Sequence, residues 1–254
     1  MIQAYLERVG LTRVPDLGGL MRAHLQHIPF EALSALSGEP ILLDDQSLFQ
    51  KLVHNKRGGY CFEQNTLFQR VLEELGYDLV PLQARMRRGA KELRPNTHKM
   101  LRVRLHDQDW LVDVGVGGEG PYQPIPWGST QEFQPGIKHR MVSQDDLWVV
   151  QNQTDGGEWI DLYATDNRPA EHIDYVMANW FTSTHPTSIF VTHLLTGLHH
   201  DGGYKILFDN HLRKRHDGVT TVTEVEPIAA LKEHFDLIPP EGFHYATPAP
   251  RDLF

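Results

Sequence analysis

The first part of the chain shows the hydrophobic spacing of helices. Its apolar residues recur at three- and four-residue steps, which places them on one face of a helix with 3.6 residues per turn. Ser47 and Gln50 have the spacing of a capping box, so we expect one helix to begin at Ser47. The pattern predicts helices over residues 2–9 and 17–28, from residue 47 onward, and over residues 62–75.

From about residue 78 the period of the hydrophobic pattern changes to two, which is typical of β-strands. Residues 107–109 carry turn-forming side chains between two of these segments. Short strands joined by turns favour a small antiparallel sheet or barrel. The predicted strands cover residues 79–86, 100–105, 110–114, 147–151 and 158–163.

Beyond Pro169 helical and strand patterns are mixed. We expect helices over residues 173–180 and 227–235, and strands over 205–208 and 219–225. The 254 residues suffice for one large domain or two to three small ones that share a core. The order of elements therefore predicts a compact α+β protein with several lobes.

Composition excludes several classes of protein. The formal charge of −9 and the pI near 5.9 argue against a nucleic-acid-binding protein, which needs a basic face. No segment approaches the ~20 apolar residues of a membrane span, so we expect no membrane partner. The amino terminus lacks a basic segment followed by an apolar core, so we expect no secretory signal. One cysteine without a disulfide framework fits the reducing cytoplasm.

The single cysteine, Cys61, is the strongest candidate for chemistry. It follows Gly58 and Gly59 and lies directly ahead of a predicted helix. Unpaired backbone N–H groups and the helix dipole at such a position favour a thiolate over a thiol. The two glycines would let the backbone turn sharply and leave the sulfur uncrowded. The alternative is a buried structural cysteine, but this context favours a nucleophile.

A cysteine nucleophile needs a base, and the base needs an orienting group. His98 begins a predicted strand, and Asp113 lies in an apolar segment where a carboxylate needs a partner. Alternatively, His98 is a surface residue and Asp113 a turn-forming acid. A simple hairpin through residues 107–109 would place Asp113 opposite Arg102 or Arg104 rather than His98, so spacing alone does not establish this pair.

Five segments, in order, resemble the arylamine N-acetyltransferase family. They are Ile-Pro-Phe-Glu at 28–31, Arg-Gly-Gly-Tyr-Cys-Phe-Glu-Gln-Asn at 57–65, Thr-His at 97–98, Asp-Val-Gly-Val-Gly-Gly at 113–118 and Asn-Trp-Phe-Thr-Ser-Thr-His-Pro-Thr-Ser at 179–188. The resemblance implies a helical bundle (1–77) with the nucleophile, an antiparallel β-barrel (78–180) with the histidine and aspartate, and an α/β lid (181–254). The centre would be a cysteine-protease-like triad of Cys61, His98 and Asp113.

The resemblance also implies an activity. An acetyl group would pass from acetyl-CoA, as cosubstrate, through Cys61 to an arylamine, arylhydrazine or N-hydroxyarylamine, without a metal. Phe30 and Val116 would contact the acceptor. The family often has phenylalanine at the position of Val116 and asparagine at that of Ala32, so the smaller Val116 would reshape the acceptor pocket. The coenzyme A contacts would come from Thr97, Gly117, Ser188 and Thr192.

Three other functions remain open from the sequence. A thiol peptidase or amidase would use the same chemistry, but its characteristic Cys-Gly-Ser-Cys-Trp segment is missing. An amide synthase that acts on a carrier-bound acyl chain would have the same triad. A metal-binding module would use a histidine group that lacks regular ligand spacing: His193, His199, His200, His211 and His216.

Overall fold

The computed structural model describes residues 1–90, 92–130, 137–240, 242–243 and 245. The end of the predicted lid, residues 246–254, lies outside the described residues. None of the described helices combines the length and the apolar composition of a membrane-spanning segment.

The amino-terminal part is helical, as the hydrophobic spacing predicts. The third predicted helix begins at Asp45 rather than Ser47, because the Asp44 carboxylate accepts from Ser47 N at 2.9 Å and caps it. The prediction of a capping box at Ser47 was therefore wrong. The elements in order are α1 (Ile2–Arg8), α2 (Leu17–His27), β1 (Phe30–Glu31), α3 (Leu33–Leu36), α4 (Asp45–Phe49) with a π-helical turn (Gln50–His54), and α5 (Cys61–Glu74).

The middle of the chain forms a nearly closed antiparallel barrel, which confirms the predicted architecture. Its strands are β2 (Asp78–Met86), β3 (His98–Leu105), β4 (Gln108–Val112), β5 (Ile125–Pro126), β6 (His139–Gln144), β7 (Leu147–Gln153) and β8 (Trp159–Thr165). Their order in the sheet is β5-β4-β3-β2-β8-β7-β6. The sequence analysis missed β5, which has only two residues, and β6, which carries a short and partly polar pattern.

The carboxyl-terminal part combines three helices with a second antiparallel sheet. It contains α6 (His172–Thr184), α7 (Ile189–Thr192), β9 (Leu195–His200), β10 (Gly203–Phe208), β11 (His211–His216), β12 (Val219–Glu224) and α8 (Pro227–Phe235). We missed β9 because it mixes leucine, threonine, glycine and histidine without a clear alternation, and β11 because histidine, arginine and lysine occupy both of its faces. Strand β1 joins this sheet by pairing with β9, in the order β1-β9-β10-β11-β12.

Strand β1 links the amino-terminal helical part to the carboxyl-terminal sheet and also contacts the Gly58–Gly59 segment. Phe30 lies opposite Gly197, and Glu31 N donates to Gly59 O at 3.0 Å. A Cβ atom on Gly58 would lie 2.0 Å from the Pro29 carbonyl oxygen, so this position requires glycine. Strand β1 and the residue before it thus fix the path of the backbone that leads into Cys61.

Lys99 has a buried amino group between α5 and β3. Its Nζ donates to Thr66 Oγ1 at 2.9 Å and Gln69 Oε1 at 2.7 Å, and it lies 4.4 Å from the centroid of the Tyr175 ring. Burial, with a further contribution from the charge of Arg70, lowers the pKa of Lys99 to about 7. Folding therefore favours the neutral amine.

We expect Lys99→Met to remove a pH dependence of stability. Between about pH 7 and about pH 10 the unfolded chain binds a proton at Lys99 and the folded chain does not, so the wild-type protein gains stability as pH rises. The wild-type minus variant difference in unfolding free energy should rise by up to ~1.4 kcal/mol per pH unit in this window. Urea unfolding at several pH values measures it. A constant difference would show that Lys99 keeps its proton in the folded protein.

Candidate active site

Cys61 is the first residue of α5, as predicted. The Glu63 carboxylate caps the helix by accepting from Tyr60 N at 3.1 Å. The thiol is buried, and Cys61 Sγ donates to Thr97 O at 3.6 Å. This contact places the sulfur beside the start of β3, where His98 lies.

Close packing, rather than a sharp turn, explains the glycines around Cys61. Neither Gly58 nor Gly59 has a positive φ, so our expectation of a special turn there was wrong. Gly115 shows a second close approach, since a Cβ atom there would lie 2.6 Å from Cys61 Cα and 2.5 Å from Asn65 Nδ2. The segment that follows Asp113 can therefore lie directly against the start of α5 only with glycine at position 115.

The register of the β3–β4 hairpin brings His98 and Asp113 together. The turn consists of His106 and Asp107, both with positive φ, and not of residues 107–109. Leu101 then pairs with Val112, so Asp113 follows on the strand opposite Met100, two residues from His98. Diagonal neighbours on one face of a sheet are within reach of long side chains. The predicted placement of Asp113 opposite Arg102 or Arg104 was wrong because the turn begins one residue earlier and is one residue shorter than expected.

His98 and Asp113 form a buried, hydrogen-bonded pair. His98 Nε2 lies 2.7 Å from Asp113 Oδ2, and both side chains are at most 2% exposed. Burial opposes both charges, but Asp113, with a smaller contribution from Cys61, raises the pKa of His98 above its ordinary value. Burial likewise opposes ionisation of Asp113, while His98 and further hydrogen bonds hold its pKa below the ordinary value. Asp113 therefore makes His98 a stronger base and stabilises the imidazolium that forms when His98 takes a proton.

Asn65 fixes the orientation of Asp113, and the sequence analysis did not identify it. Its Nδ2 donates to Asp113 Oδ1 at 2.9 Å and to Lys99 O at 2.6 Å, while its Oδ1 accepts from Val114 N at 3.0 Å. Gly115 N also donates to Asp113 Oδ1, at 2.9 Å. Asn65 follows Cys61 by four residues, so both lie on one face of α5. This four-residue spacing was the signal from which Asn65 could have been predicted to belong to the site.

Tyr163 is a second residue that the sequence analysis missed. Its ring centroid lies 4.9 Å from that of His98, and the side chain is fully buried. Burial, followed by the nearby Asp113 carboxylate, raises the pKa of Tyr163 well above its ordinary value. Its position depends on the pairing of β8 with β2, which joins residues far apart in the chain. No local pattern indicates such a pairing.

A cavity of about 200 Å³ opens at Cys61 and His98. Four of the residues predicted to contact substrates line it: Phe30, Thr97, Val116 and Ser188.

The other two predicted contacts lie elsewhere. Gly117 lines a small adjoining cavity of about 20 Å³, which it shares with Phe30 and Val116. Thr192 is exposed, lies outside the lining of the catalytic cavity, and donates through Oγ1 to Ser188 O at 3.1 Å.

Two arginines that the sequence analysis left without a role also line the catalytic cavity. They are Arg88, which donates to Glu119 Oε2 at 2.9 Å, and Arg94. Within the part of the chain that the structure describes, no three His, Cys, Asp or Glu side chains are arranged to hold a metal ion. Two of the histidines considered for such a site have other contacts. His193 pairs with Asp209, and His199 Nε2 lies 3.0 Å from Gly117 O.

Comparison with known proteins agrees with this geometry. The N-acetyltransferase family model matches residues 13–238. The arylamine N-acetyltransferase of Escherichia coli K12 is 38% identical over 200 residues, which are 77% of this chain and 71% of that protein. A Salmonella typhimurium arylamine N-acetyltransferase / N-hydroxyarylamine O-acetyltransferase is 35% identical over 211 residues, which are 81% of this chain and 75% of that protein. Proansamycin X synthase of Amycolatopsis mediterranei is 28% identical over 183 residues, covering 68% and 70%.

Solved structures show the same fold. The arylamine N-acetyltransferase from Salmonella typhimurium superposes with a TM-score of 0.88 at 31% identity, covering 96% of this chain and 94% of that chain. The Mycobacterium marinum enzyme in complex with CoA superposes with a TM-score of 0.87 at 32% identity, covering 93% and 92%. Sequence and structure together show that the chain is a transferase and belongs to the arylamine N-acetyltransferase family.

Proposed function

We propose that the protein transfers an acetyl group from acetyl-CoA to an arylamine, arylhydrazine or N-hydroxyarylamine through an acetyl-Cys61 intermediate. The observation that carries this proposal is a buried Asp113–His98 pair at the same cavity as the only thiol of the chain. The names of the relatives support the acceptor class, and the CoA complex of the Mycobacterium marinum enzyme supports the donor.

In the first half-reaction Cys61 is acetylated. His98 takes the thiol proton, and the buried Asp113 carboxylate stabilises the imidazolium that results. The Cys61 sulfur attacks the thioester carbonyl carbon of acetyl-CoA. The tetrahedral intermediate then collapses, the bond from carbon to the coenzyme A sulfur breaks, and the leaving thiolate takes the proton from His98.

In the second half-reaction the acceptor releases Cys61. The acceptor nitrogen, or the oxygen of an N-hydroxyarylamine, attacks the carbonyl carbon of acetyl-Cys61. The nucleophile gives its proton to His98, the carbon–sulfur bond breaks, and the proton returns to the thiolate of Cys61. Because one cysteine and one histidine serve both halves, coenzyme A leaves before the acceptor reacts, which gives ping-pong kinetics.

We assign the donor and acceptor sides of the cavity from its lining. Phe30 and Val116 form the apolar wall on which an aromatic acceptor would pack; the Phe30 and Phe190 rings lie 6.0 Å apart. Arg88 and Arg94 make this cavity locally basic in a chain of net charge −9, which suits the phosphates of coenzyme A.

On the donor side Thr97 and Ser188 would contact the pantetheine arm, with Gly117 at the adjoining cavity. Thr192 would act from the exposed end of α7, outside the lining of the catalytic cavity.

Amide synthesis from a carrier-bound acyl chain is the second candidate, since proansamycin X synthase is a relative. The arylamine N-acetyltransferases match at higher identity and favour acetyl transfer. CoA release in a matrix of acyl-CoA donors against aromatic amines and hydrazines separates the two. Release that needs acetyl-CoA and accelerates with arylamine supports the proposal. Inertness with every acyl-CoA contradicts it, as does hydrolysis that no amine accelerates, which would indicate a thiol amidase.

Incubation with acetyl-CoA in the absence of an acceptor should place one acetyl group on the peptide that contains Cys61. Mass spectrometry after proteolysis measures it. Cys61→Ser should abolish turnover, because a serine hydroxyl is far less acidic than a thiol and no second cysteine exists to replace it. Full turnover by this variant would exclude a cysteine intermediate.

Asp113→Asn should lower the rate of acetylation by roughly 10²–10⁴-fold while the protein stays folded. The amide can still accept from Asn65 and Gly115, but it provides no charge to stabilise the imidazolium of His98. Alkylation of Cys61 by iodoacetamide at neutral pH should slow as well.

The matched control for Asp113→Asn is Asp109→Asn. Asp109 lies on β4 and pairs with Arg104 on the outside of the barrel, so this change should leave both rates unchanged. Near-normal acetylation by Asp113→Asn, with thermal unfolding confirming the fold, would make Asp113 a purely structural residue.

Val116→Phe should shift acceptor preference towards small, flat arylamines. The phenyl ring would fill volume in the cavity and offer an aromatic face for stacking. We expect the ratio of kcat/KM values for aniline and a bulkier acceptor to change by the equivalent of ~1–3 kcal/mol. Acetylation of Cys61 should hardly change. Unchanged acceptor ratios combined with slower acetylation would place Val116 on the donor side.

A further inference from the structure

Helix α6 has an apolar face that no described residue covers. Four apolar side chains at positions i, i+3, i+4 and i+7 form this stripe, which is about 100° wide. Ile173 is 62% exposed, Val176 39%, Met177 68% and Trp180 68%. We call these four residues the α6 stripe. Large apolar side chains so exposed and so contiguous mark an interaction surface.

The opposite face of α6 packs against the protein, so the helix cannot rotate to bury the stripe. Tyr175, Ala178 and Thr182 are buried on that face. Asn179 Nδ2 donates to Ile41 O at 2.9 Å, and the hydroxyl of Tyr60 hydrogen-bonds to Asn179 Oδ1. These bonds fix the orientation of α6 and leave the stripe in solvent.

We propose that the α6 stripe is the interface of a homodimer. A twofold interface uses the same patch on both copies, so the patch must be complementary to itself. The stripe carries no charge, so two copies can meet without opposing like charges. Its spacing is symmetric about the point between Val176 and Met177. In an antiparallel pair of α6 helices, Trp180 of each copy would therefore pack on Ile173 of the other.

The exposed area matches what a dimer needs. Leu42 is 57% exposed and follows Ile41, whose carbonyl accepts from Asn179 of α6. Together with Leu42 the stripe presents roughly 600 Å² of exposed surface per copy. Complete burial of this surface in both copies would remove about 1,200 Å² from water, just above the lower bound of about 1,000 Å² for a specific interface. Trp180 and Met177 belong to the residue types enriched at interface centres, which favours a protein surface as the occupant.

Sedimentation velocity of the full chain between roughly 1 and 100 μM tests the proposal. The wild-type protein should be a dimer that dissociates on dilution, and Met177→Glu should be monomeric over the whole range. Val222→Glu is the matched control. Val222 is 52% exposed on the edge strand β12, so this variant should remain dimeric.

A pair of charged variants tests the register. Ile173→Lys and Trp180→Glu should each be monomeric alone. When the two variants are mixed, they should form a heterodimer. One of its two contacts between positions 173 and 180 would then join the two substituted, oppositely charged side chains, and the other would keep the native Ile173 and Trp180. Failure of the mixture to associate, when the wild-type protein does, would overturn the antiparallel register.

Two further outcomes overturn the dimer itself. One is a wild-type protein that stays monomeric up to about 100 μM; flotation of that monomer with phospholipid vesicles would assign the stripe to a lipid surface. The other is a dimer that persists in Met177→Glu but is lost in Val222→Glu, which would place the interface at the sheet edge. Acetyl transfer by monomeric Met177→Glu should be retained, so its loss would concern the proposed function and not this interface.

Discussion

The buried carboxylate of Asp113 is the constraint on which the rest of the structure depends. An isolated buried charge costs several kcal/mol, and every neighbour of Asp113 reduces that cost. His98 provides the opposite charge when it is protonated, while Asn65 and Gly115 N complete the hydrogen bonds of the Asp113 carboxylate. Since Asn65 belongs to α5 and His98 to β3, the same interactions hold the helical part against the barrel. The same contacts therefore stabilise the fold and align the catalytic groups.

Local patterns in the sequence predicted the elements that bury one face. The helices α1, α2 and α5 and most barrel strands were found by period, and α8 matched its predicted bounds of 227–235. Strands β9 and β11 were missed because neither alternates apolar and polar residues: β9 has histidine on both faces, and β11 has charged and histidine side chains on both. Their pairing in the sheet, and not their composition, makes them strands. Such long-range pairing leaves no periodic signal in a single sequence.

The candidate site was predicted in part from residues and in part from resemblance. Cys61 was predicted to be the nucleophile because it is the only cysteine and lies at the start of a helix. The contact between His98 and Asp113 could not be derived, because one residue in the length of the turn changes every partner on β4. Tyr163 was out of reach for a similar reason, since β8 reaches β2 only through tertiary pairing. Asn65 was within reach, because its spacing from Cys61 on α5 is visible in the sequence.

The pairing of β1 with β9 has a consequence for how the protein forms during synthesis. Phe30 is made early, yet its partner Gly197 is made only after most of the chain has left the ribosome. The cavity wall also includes Phe190 and Leu195. Closing so long a loop is slow because its entropy is lost before the contacts form. The nascent helical part therefore lacks the β9 partner of Phe30 until late in synthesis. A chain interrupted before residue 195 would contain the cysteine but no complete substrate cavity.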